Sequence, residues 1–440
     1  MKLPIAIATL ILAIAAGLDW QLRLQLAAAS NTHSTLVAAA AQLGIATGPT
    51  APPRPIRHSK RERDKRDTAA KLYATELIAF VKEMDAIKQN GDGRSDEATK
   101  KRAMDLLDRM TSLDPSQLKI LIAAMRADKD VQNSTREELI SLAISSLAGE
   151  HPQAALALLT EASGVSNPAG NGRRLVAAAL GRWAQDDPSA ALQWLRNNTD
   201  KFPDLITDEA KSSLLAGAAA RDPRLAFKLI AELGFRETEH VVPNIVAAAK
   251  TPEARTATLA ALRDYSATLA EEPVKDKTSA IGILVLARGA AGDGFQAATD
   301  WLATAKLSPQ ELANFSRGLD GSIKPADTSR WIEWAGTTLP AESSEQVVRM
   351  LVSRWTQSDY QAAGKWLATT PESPAKTSAI QQYAETVSRY EPETAAQWAL
   401  TLPPGAARDA TLEQIYHNWP RSDPAASEAA AAFGKLHDLP

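Results

Sequence analysis

An acid followed by proline returns at near-constant intervals along this chain, and that return limits the fold more than any other feature. Pro115, Pro152, Pro188, Pro223, Pro252, Phe295, Thr328, Tyr360, Pro392 and Pro424 align as one recurring position, separated by steps of 37, 36, 35, 29, 43, 33, 32, 32 and 32 residues. The uneven steps of 29 and 43 together span two ordinary periods. In six copies the preceding residue is aspartate: Asp114, Asp187, Asp222, Asp327, Asp359 and Asp423. A carboxylate at that place accepts hydrogen bonds from the free N–H groups of a first helical turn. Proline is tolerated next, because its missing N–H would have had no partner there. Each marker therefore predicts that one helix has ended and a second begins. A period of this size is the signature of stacked helical hairpins.

The residues after each marker support the same reading. Three positions on comes a small residue in most copies: Ala155, Ala191, Ala226, Ala298, Ala363 and Ala395. Six positions on comes a large one: Leu121, Leu158, Trp194, Leu229, Trp301, Trp334, Trp366 and Trp398. A spacing of three places both on one helical face, where alanine lets a partner helix approach and the bulky side chain fills the space beside it. Trp183, Trp355 and Trp419 lie five residues before their markers, late in the first helix of each pair. Second helices are expected to end at Pro309, Pro340, Pro371 and Pro403-Pro404-Gly405. Ser134-Thr135-Arg136-Glu137 reads as a capping box opening a first helix.

Composition agrees with helices and narrows the function. Alanine is abundant, and it loses almost no side-chain entropy on entering a helix. The net charge of −3 hides a basic run, since residues 54–67 carry seven Lys/Arg against three Asp/Glu. The remainder is mildly acidic, which argues against a nucleic-acid partner needing a basic face. Cysteine is absent, so thiolate metal sites, thiol nucleophiles and disulfides are excluded.

The first residues read as a targeting segment. Lys2 precedes an apolar run from Leu3 to Leu18, closed by Asp19 and Trp20, so residues 1–20 are expected to be a cleaved signal peptide or a short signal anchor. Leu22, Ala29, Leu36 and Leu43 fall seven apart, a weak heptad in a possible self-associating stalk over residues 21–43. Residues 44–67 read as a proline-rich, basic linker. Its stretch 54–66 could touch anionic headgroups, or form a solvated spacer or the charged start of the next helix. The expected compartment is the bacterial cell envelope, periplasmic or anchored in the inner membrane facing the periplasm. Residues 68–112 should cap the array, with Tyr73, Leu77, Phe80, Val81, Met84 and Ile87 as one apolar stripe. The repeats would then fill residues 113–436.

One copy is especially regular: Leu180-Gly181-Arg182-Trp183, then Asp187-Pro188-Ser189-Ala190-Ala191-Leu192-Gln193-Trp194-Leu195. It resembles a Sel1-like or tetratricopeptide hairpin, with a Leu-Gly-x-aromatic first helix and an Ala-x-x-aromatic second helix. Most other copies lack the glycine, and the Asp-Pro is not the tetratricopeptide proline. The pattern Trp-x-x-x-Asp-Pro-x-x-Ala-x-x-Trp also resembles repeats of uncharacterised bacterial envelope proteins. The resemblance spans about residues 115–436. It implies an all-α fold, an α-solenoid or superhelix of about ten helix-turn-helix hairpins, and brings no activity with it.

Catalytic and metal readings are weaker. Asn90-Gly91-Asp92-Gly93 suggests a calcium loop, but Lys88 and Thr99 would fall at its first and last ligand positions, where oxygen donors and a bidentate glutamate are needed. It is read as a turn. His33, His58, His151, His240, His417 and His437 offer no ligand spacing on one helix, and His151 occupies a capping position. Gly170-Asn171-Gly172-Arg173-Arg174 reads as the start of a helix. The repeated aspartates read as caps rather than as a glycosidase pair. No catalytic, cofactor or metal residues are assigned. Most tryptophans, including Trp183, Trp194, Trp301, Trp366 and Trp398, are assigned to the core. Trp331 replaces the usual alanine beside Trp334, and these two are the candidates for partner binding. The leading expectation is a non-catalytic scaffold or adaptor for a protein or peptide. The alternatives are a polysaccharide-acting enzyme or glycan-binding protein built as an α/α toroid, and a self-associating envelope structural protein.

Overall fold

The structure, a computed structural model, describes residues 60–89, 97–162, 171–319 and 321–439. The expected targeting segment, stalk and most of the linker lie outside the described residues, as does the Asn90–Gly93 turn. Within them every regular element is helical, and none of the helices is long and apolar enough to cross a membrane.

The described residues form two compact units that divide between Leu158 and Leu159. The first holds α1 (Lys60–Gln89), α2 (Glu97–Thr111), α3 (Pro115–Ala127), α4 (Asn133–Glu150) and the start of α5 (Pro152–Ala162). Helix α1 packs on α3, and α4 packs on both α2 and α3. The apolar stripe on α1 is real: Tyr73, Leu77, Phe80 and Val81 are buried, and Met84 and Ile87 half-buried. The Tyr73 hydroxyl donates to the Leu106 carbonyl at 2.6 Å.

Two expectations are corrected here. Helix α1 starts at Lys60, so the linker does not extend to residue 67. No proline falls between Pro55 and Pro115, and Arg66 on α1 forms an ion pair with Asp114, the first cap. The expected capping box at Ser134 is also absent. Helix α4 starts at Asn133 after an uncapped Gln132, and Arg136 instead donates to the Asp128 carbonyl at 2.8 Å.

The second unit contains α6 (Asn171–Asp186), α7 (Pro188–Asn198), α8 (Asp208–Arg221), α9 (Pro223–Glu232), α10 (Val242–Ala247), α11 (Pro252–Thr268), α12 (Glu272–Asp293), α13 (Phe295–Ala305), α14 (Pro309–Arg317), α15 (Thr328–Thr338), α16 (Ala341–Thr369), α17 (Pro374–Val387), α18 (Pro392–Thr401), α19 (Ala406–Asn418) and α20 (Pro424–Leu436). First helices stack in succession: α6 on α8, α8 on α10, α10 on α12, α12 on α14, α14 on α16, α16 on α17, and α17 on α19. Second helices pack beside them, as α9 does on α8 and α18 on α17.

Every marker begins a helix. Nine are first residues of α3, α5, α7, α9, α11, α13, α15, α18 and α20. The tenth, Tyr360, falls inside α16, but Asp359 breaks that helix with φ −157° and ψ 83°. The Asp359 carboxylate then accepts from the Ala362 N–H at 2.9 Å, as a cap does. Asp114, Asp187, Asp222 and Asp423 cap in the same way. The proline breakers lie at the starts of the following helices or in the loops before them: Pro309 is the first residue of α14, capped by Ser308 in a box with Glu311, and Pro340 precedes α16. The irregular steps also have a cause. Helix α10 has only 6 residues, which shortens one repeat, while α11 and α12, of 17 and 22, lengthen the next.

The buried stripe is wider than the expected one by a residue. Ala155, Ala191, Ala226, Ala298, Ala363 and Ala395, three after the marker, are all fully buried. The second deep position is seven after it, at Ile122, Leu195, Ile230, Leu259, Ala335, Leu367 and Ala399. Residues three and seven after the marker lie one turn apart and face the neighbouring helix squarely. The residue six after it flanks that line: Leu121, Leu158, Leu229 and Trp301 are buried there, while Trp194, Trp334, Trp366 and Trp398 are half-buried. Small side chains bring backbones into contact elsewhere too. A Cβ at Gly217 of α8 would stand 2.0 Å from the Gly181 carbonyl oxygen of α6.

Candidate partner-binding cleft

Four copies lack alanine at the deep position, at Leu118, Arg255, Trp331 and Ser427, and two of these carry the largest fully buried side chains among the described residues, Trp331 and Arg255. Trp331 is therefore not an exposed contact residue. It lies three after its marker, where the helix faces its neighbour, and its ring is 0% exposed. It packs edge-on to Phe295 at 5.0 Å and to Trp334 at 5.3 Å, and near Phe315 at 6.4 Å. Trp334 is half-buried at the edge of this aromatic block, also touching Phe315. The structure brings the two candidates together, but as packing.

Arg255 sits two repeats earlier. Its guanidinium donates to the Gly289 carbonyl at 3.1 Å and forms an ion pair with Asp293. Gly289 makes room: a Cβ there would stand 3.4 Å from the Arg255 Nε. The turns alongside are tied together. Lys324 donates to the Asp293 carbonyl at 2.8 Å, and Asp327 Oδ2 accepts the Phe295 N–H at 3.0 Å. Asp327 thus caps the helix of the previous hairpin, where Gly294, with φ +111°, has no side chain to do so. Arg330 pairs with Asp327 and lies over the Phe295 ring, 4.2 Å from its centroid.

At the equivalent edge of the next two hairpins the turns leave a cleft of about 560 Å³. Ser353, Thr356, Gln357 and Tyr360 of α16 form one wall; Gln382, Glu385, Thr386 and Val387 of α17 form the other; Arg389, Tyr390 and Glu391 close the turn end. One bond joins the two turns across it, from the Tyr360 hydroxyl to Glu391 Oε1 at 2.7 Å. Like Asp327, Glu391 precedes a marker and accepts from the previous marker residue. Its other oxygen accepts from the Thr394 hydroxyl at 3.1 Å. Glu385 is held by Arg349 at 3.0 Å. Behind the wall, the Tyr383 hydroxyl donates to the Tyr360 carbonyl at 3.1 Å, and burial, with the negative charge of Glu391 adding to it, pushes its pKa up to about 12.

The remaining groups of the cleft are unspent. Gln357 donates through its amide nitrogen to Ser353 at 3.2 Å, and Gln382 to Thr386 at 3.3 Å, so both side-chain carbonyls stay open. Thr356, at the floor, is 5% exposed and its hydroxyl has no partner among the described residues. Arg389 is exposed and forms no ion pair among the described residues, and Tyr390 is 81% exposed. The cleft is thus built to hydrogen-bond a ligand from two helices and to meet one charge at its rim. Sequence reasoning missed it. The one available signal was at the marker, where Tyr360 and Glu391 replace the usual proline and aspartate.

Among the described residues no group of His, Asp and Glu side chains is arranged to hold a metal ion. Comparison with family models, with curated proteins and with solved structures finds no match for this chain.

Proposed function

We propose that the unit Leu159–Pro440 is an α-solenoid of the Sel1-like or tetratricopeptide type, and that the protein is a non-catalytic scaffold of the bacterial envelope that holds a protein partner on its repeat surface. The observation that carries this reading is the succession of first helices, α6 to α19, each stacked on the next. Such arrays present extended surfaces on which a partner is held by many small contacts. The cleft beside α16 and α17 supports it, because its acids are tied to Arg349, Tyr360 and Thr394 rather than left free as an acid–base pair. Export rests on Lys2 and the apolar run Leu3–Leu18 alone.

The test is site-directed photocrosslinking of the full chain in its own cells, with the reactive group at Ser353 or, as control, at Leu72 on the exposed face of α1. A discrete protein adduct from position 353 in the envelope fraction supports the proposal. Turnover of cell-wall glycan by the purified chain, with no adduct, would replace it with the enzymatic reading. Recovery of the chain from the cytosol would remove the envelope assignment.

A further inference from the structure

The cleft between α16 and α17 has a definite chemistry, and it differs from that of the edge tied by Lys324 and Asp327. We infer that it holds an extended peptide segment carrying an acidic side chain, whose backbone is clamped by Gln357 and Gln382 and whose carboxylate is met by Arg389. This rests on the scaffold reading above and specifies its partner.

The clamp follows from hydrogen-bond inventory. A carboxamide carries two N–H donors and a carbonyl acceptor. Gln357 and Gln382 each spend one N–H on a neighbouring hydroxyl, which holds the group in place. Each keeps an N–H and a carbonyl, which complement the carbonyl and N–H of a peptide unit. The two stand on opposite walls, so an extended strand between them is gripped from both sides. Thr356 leaves a buried hydroxyl unmatched at the floor. A hydroxyl in that state costs free energy that a bound polar group recovers.

Charge selects the side chain. Glu385 is neutralised by Arg349, and Glu391 keeps its negative charge but has both oxygens engaged by the Tyr360 and Thr394 hydroxyls. Arg389 is the one cation lining the cleft and has no partner among the described residues, and its planar fork suits a carboxylate. Tyr390, beside it at the rim, offers an apolar ring to whatever lies next to that carboxylate. A neutral sugar could pair its hydroxyls with the same carboxamides but would leave Arg389 without a carboxylate.

The inference is tested by panning random heptapeptides, displayed on phage, against the full-length protein, Arg389→Glu and the double variant Gln357→Leu/Gln382→Leu. Circular dichroism and thermal midpoint establish that each variant is folded, and both changes lie on exposed or half-exposed positions. The wild type should enrich peptides with Asp or Glu at a fixed position. Arg389→Glu should turn that preference toward Lys or Arg. The double variant should weaken a selected synthetic peptide by about tenfold or more. If selected peptides bind all three proteins alike, they sit elsewhere: the inference fails and the scaffold reading stands. If chitin or peptidoglycan oligosaccharides bind the wild type and Arg389→Glu abolishes that binding, the cleft is a glycan site and the peptide assignment is overturned. If no peptide is enriched and the crosslinking at Ser353 yields no protein adduct, both readings fail.

Discussion

The edge built by α11–α15 and the edge built by α16–α18 occupy equivalent places in one repeat, yet the first is closed and the second is open. In the first, the deep position carries Arg255 and Trp331. Their bulk fills the layer between hairpins, and the turns outside are sealed by Asp293, Lys324, Asp327 and Arg330. In the second, the deep position carries Ala363 and Ala395, and a single bond from Tyr360 to Glu391 spans the turns. The lesson is that a repeat's period sets where helices go, while the few residues that depart from its consensus decide which joint is sealed and which can take a ligand.

The strongest way to break this comparison is Trp331→Ala. The change restores the alanine found in six other copies, so a rule of consensus would expect gain. The packing of Phe295, Phe315 and Trp334 around the indole predicts a loss instead, of about 3–5 kcal/mol for an aromatic removed from a core. A urea unfolding midpoint unchanged from wild type would show that the sealed edge collapses freely.

Arg255→Ala should follow, at about 2–4 kcal/mol, below the full figure for breaking a buried ion pair because Asp293 is 40% exposed and water can reach it. Arg255→Met keeps most of the buried stem and should cost less than the alanine variant in the same unfolding series. Equal losses would mean that charge, not packing, holds this position.

Asp327→Ala removes a cap that acts between hairpins, together with the Arg330 pair. It should cost about 1–2 kcal/mol, against about 1 kcal/mol for Asp423→Ala, a cap within one turn. The order of the two denaturation midpoints checks whether Asp327 works as a joint.

The smallest effect belongs to the open edge and is seen only in alkali. Tyr383 ionises less readily in the folded protein than in the unfolded chain, where its pKa is about 10. Its folded value is raised, so this contribution is whole below pH 10 and is lost as pH climbs toward 12. Tyr383→Phe should flatten the stability profile over that window and leave the acid limb as it was. Parallel profiles for variant and wild type would mean that the phenol is not buried as the structure places it.

The amino-acid sequence by itself determined where helices start. Asp-Pro acts through the first turn that follows it, and Asp359 could be read as a break from its neighbours alone, even though the structure carries helix on both sides of it. Such capping needs no partner from elsewhere in the chain. The all-helical class follows from the same local chemistry, and so does the burial of the alanines at the recurring position. What only the tertiary structure decided was depth and vacancy. A shift from six to seven residues after the marker, less than a third of a helical turn, separates a half-buried tryptophan from a buried leucine. Trp331 is hidden because Phe295 and Phe315 of two other helices and Trp334 of its own surround it, and Arg389 has no partner among the described residues because no acid of a neighbouring repeat reaches it. Those are relations between side chains tens of residues apart, set by how one hairpin lies on the next, and a local pattern carries no record of them.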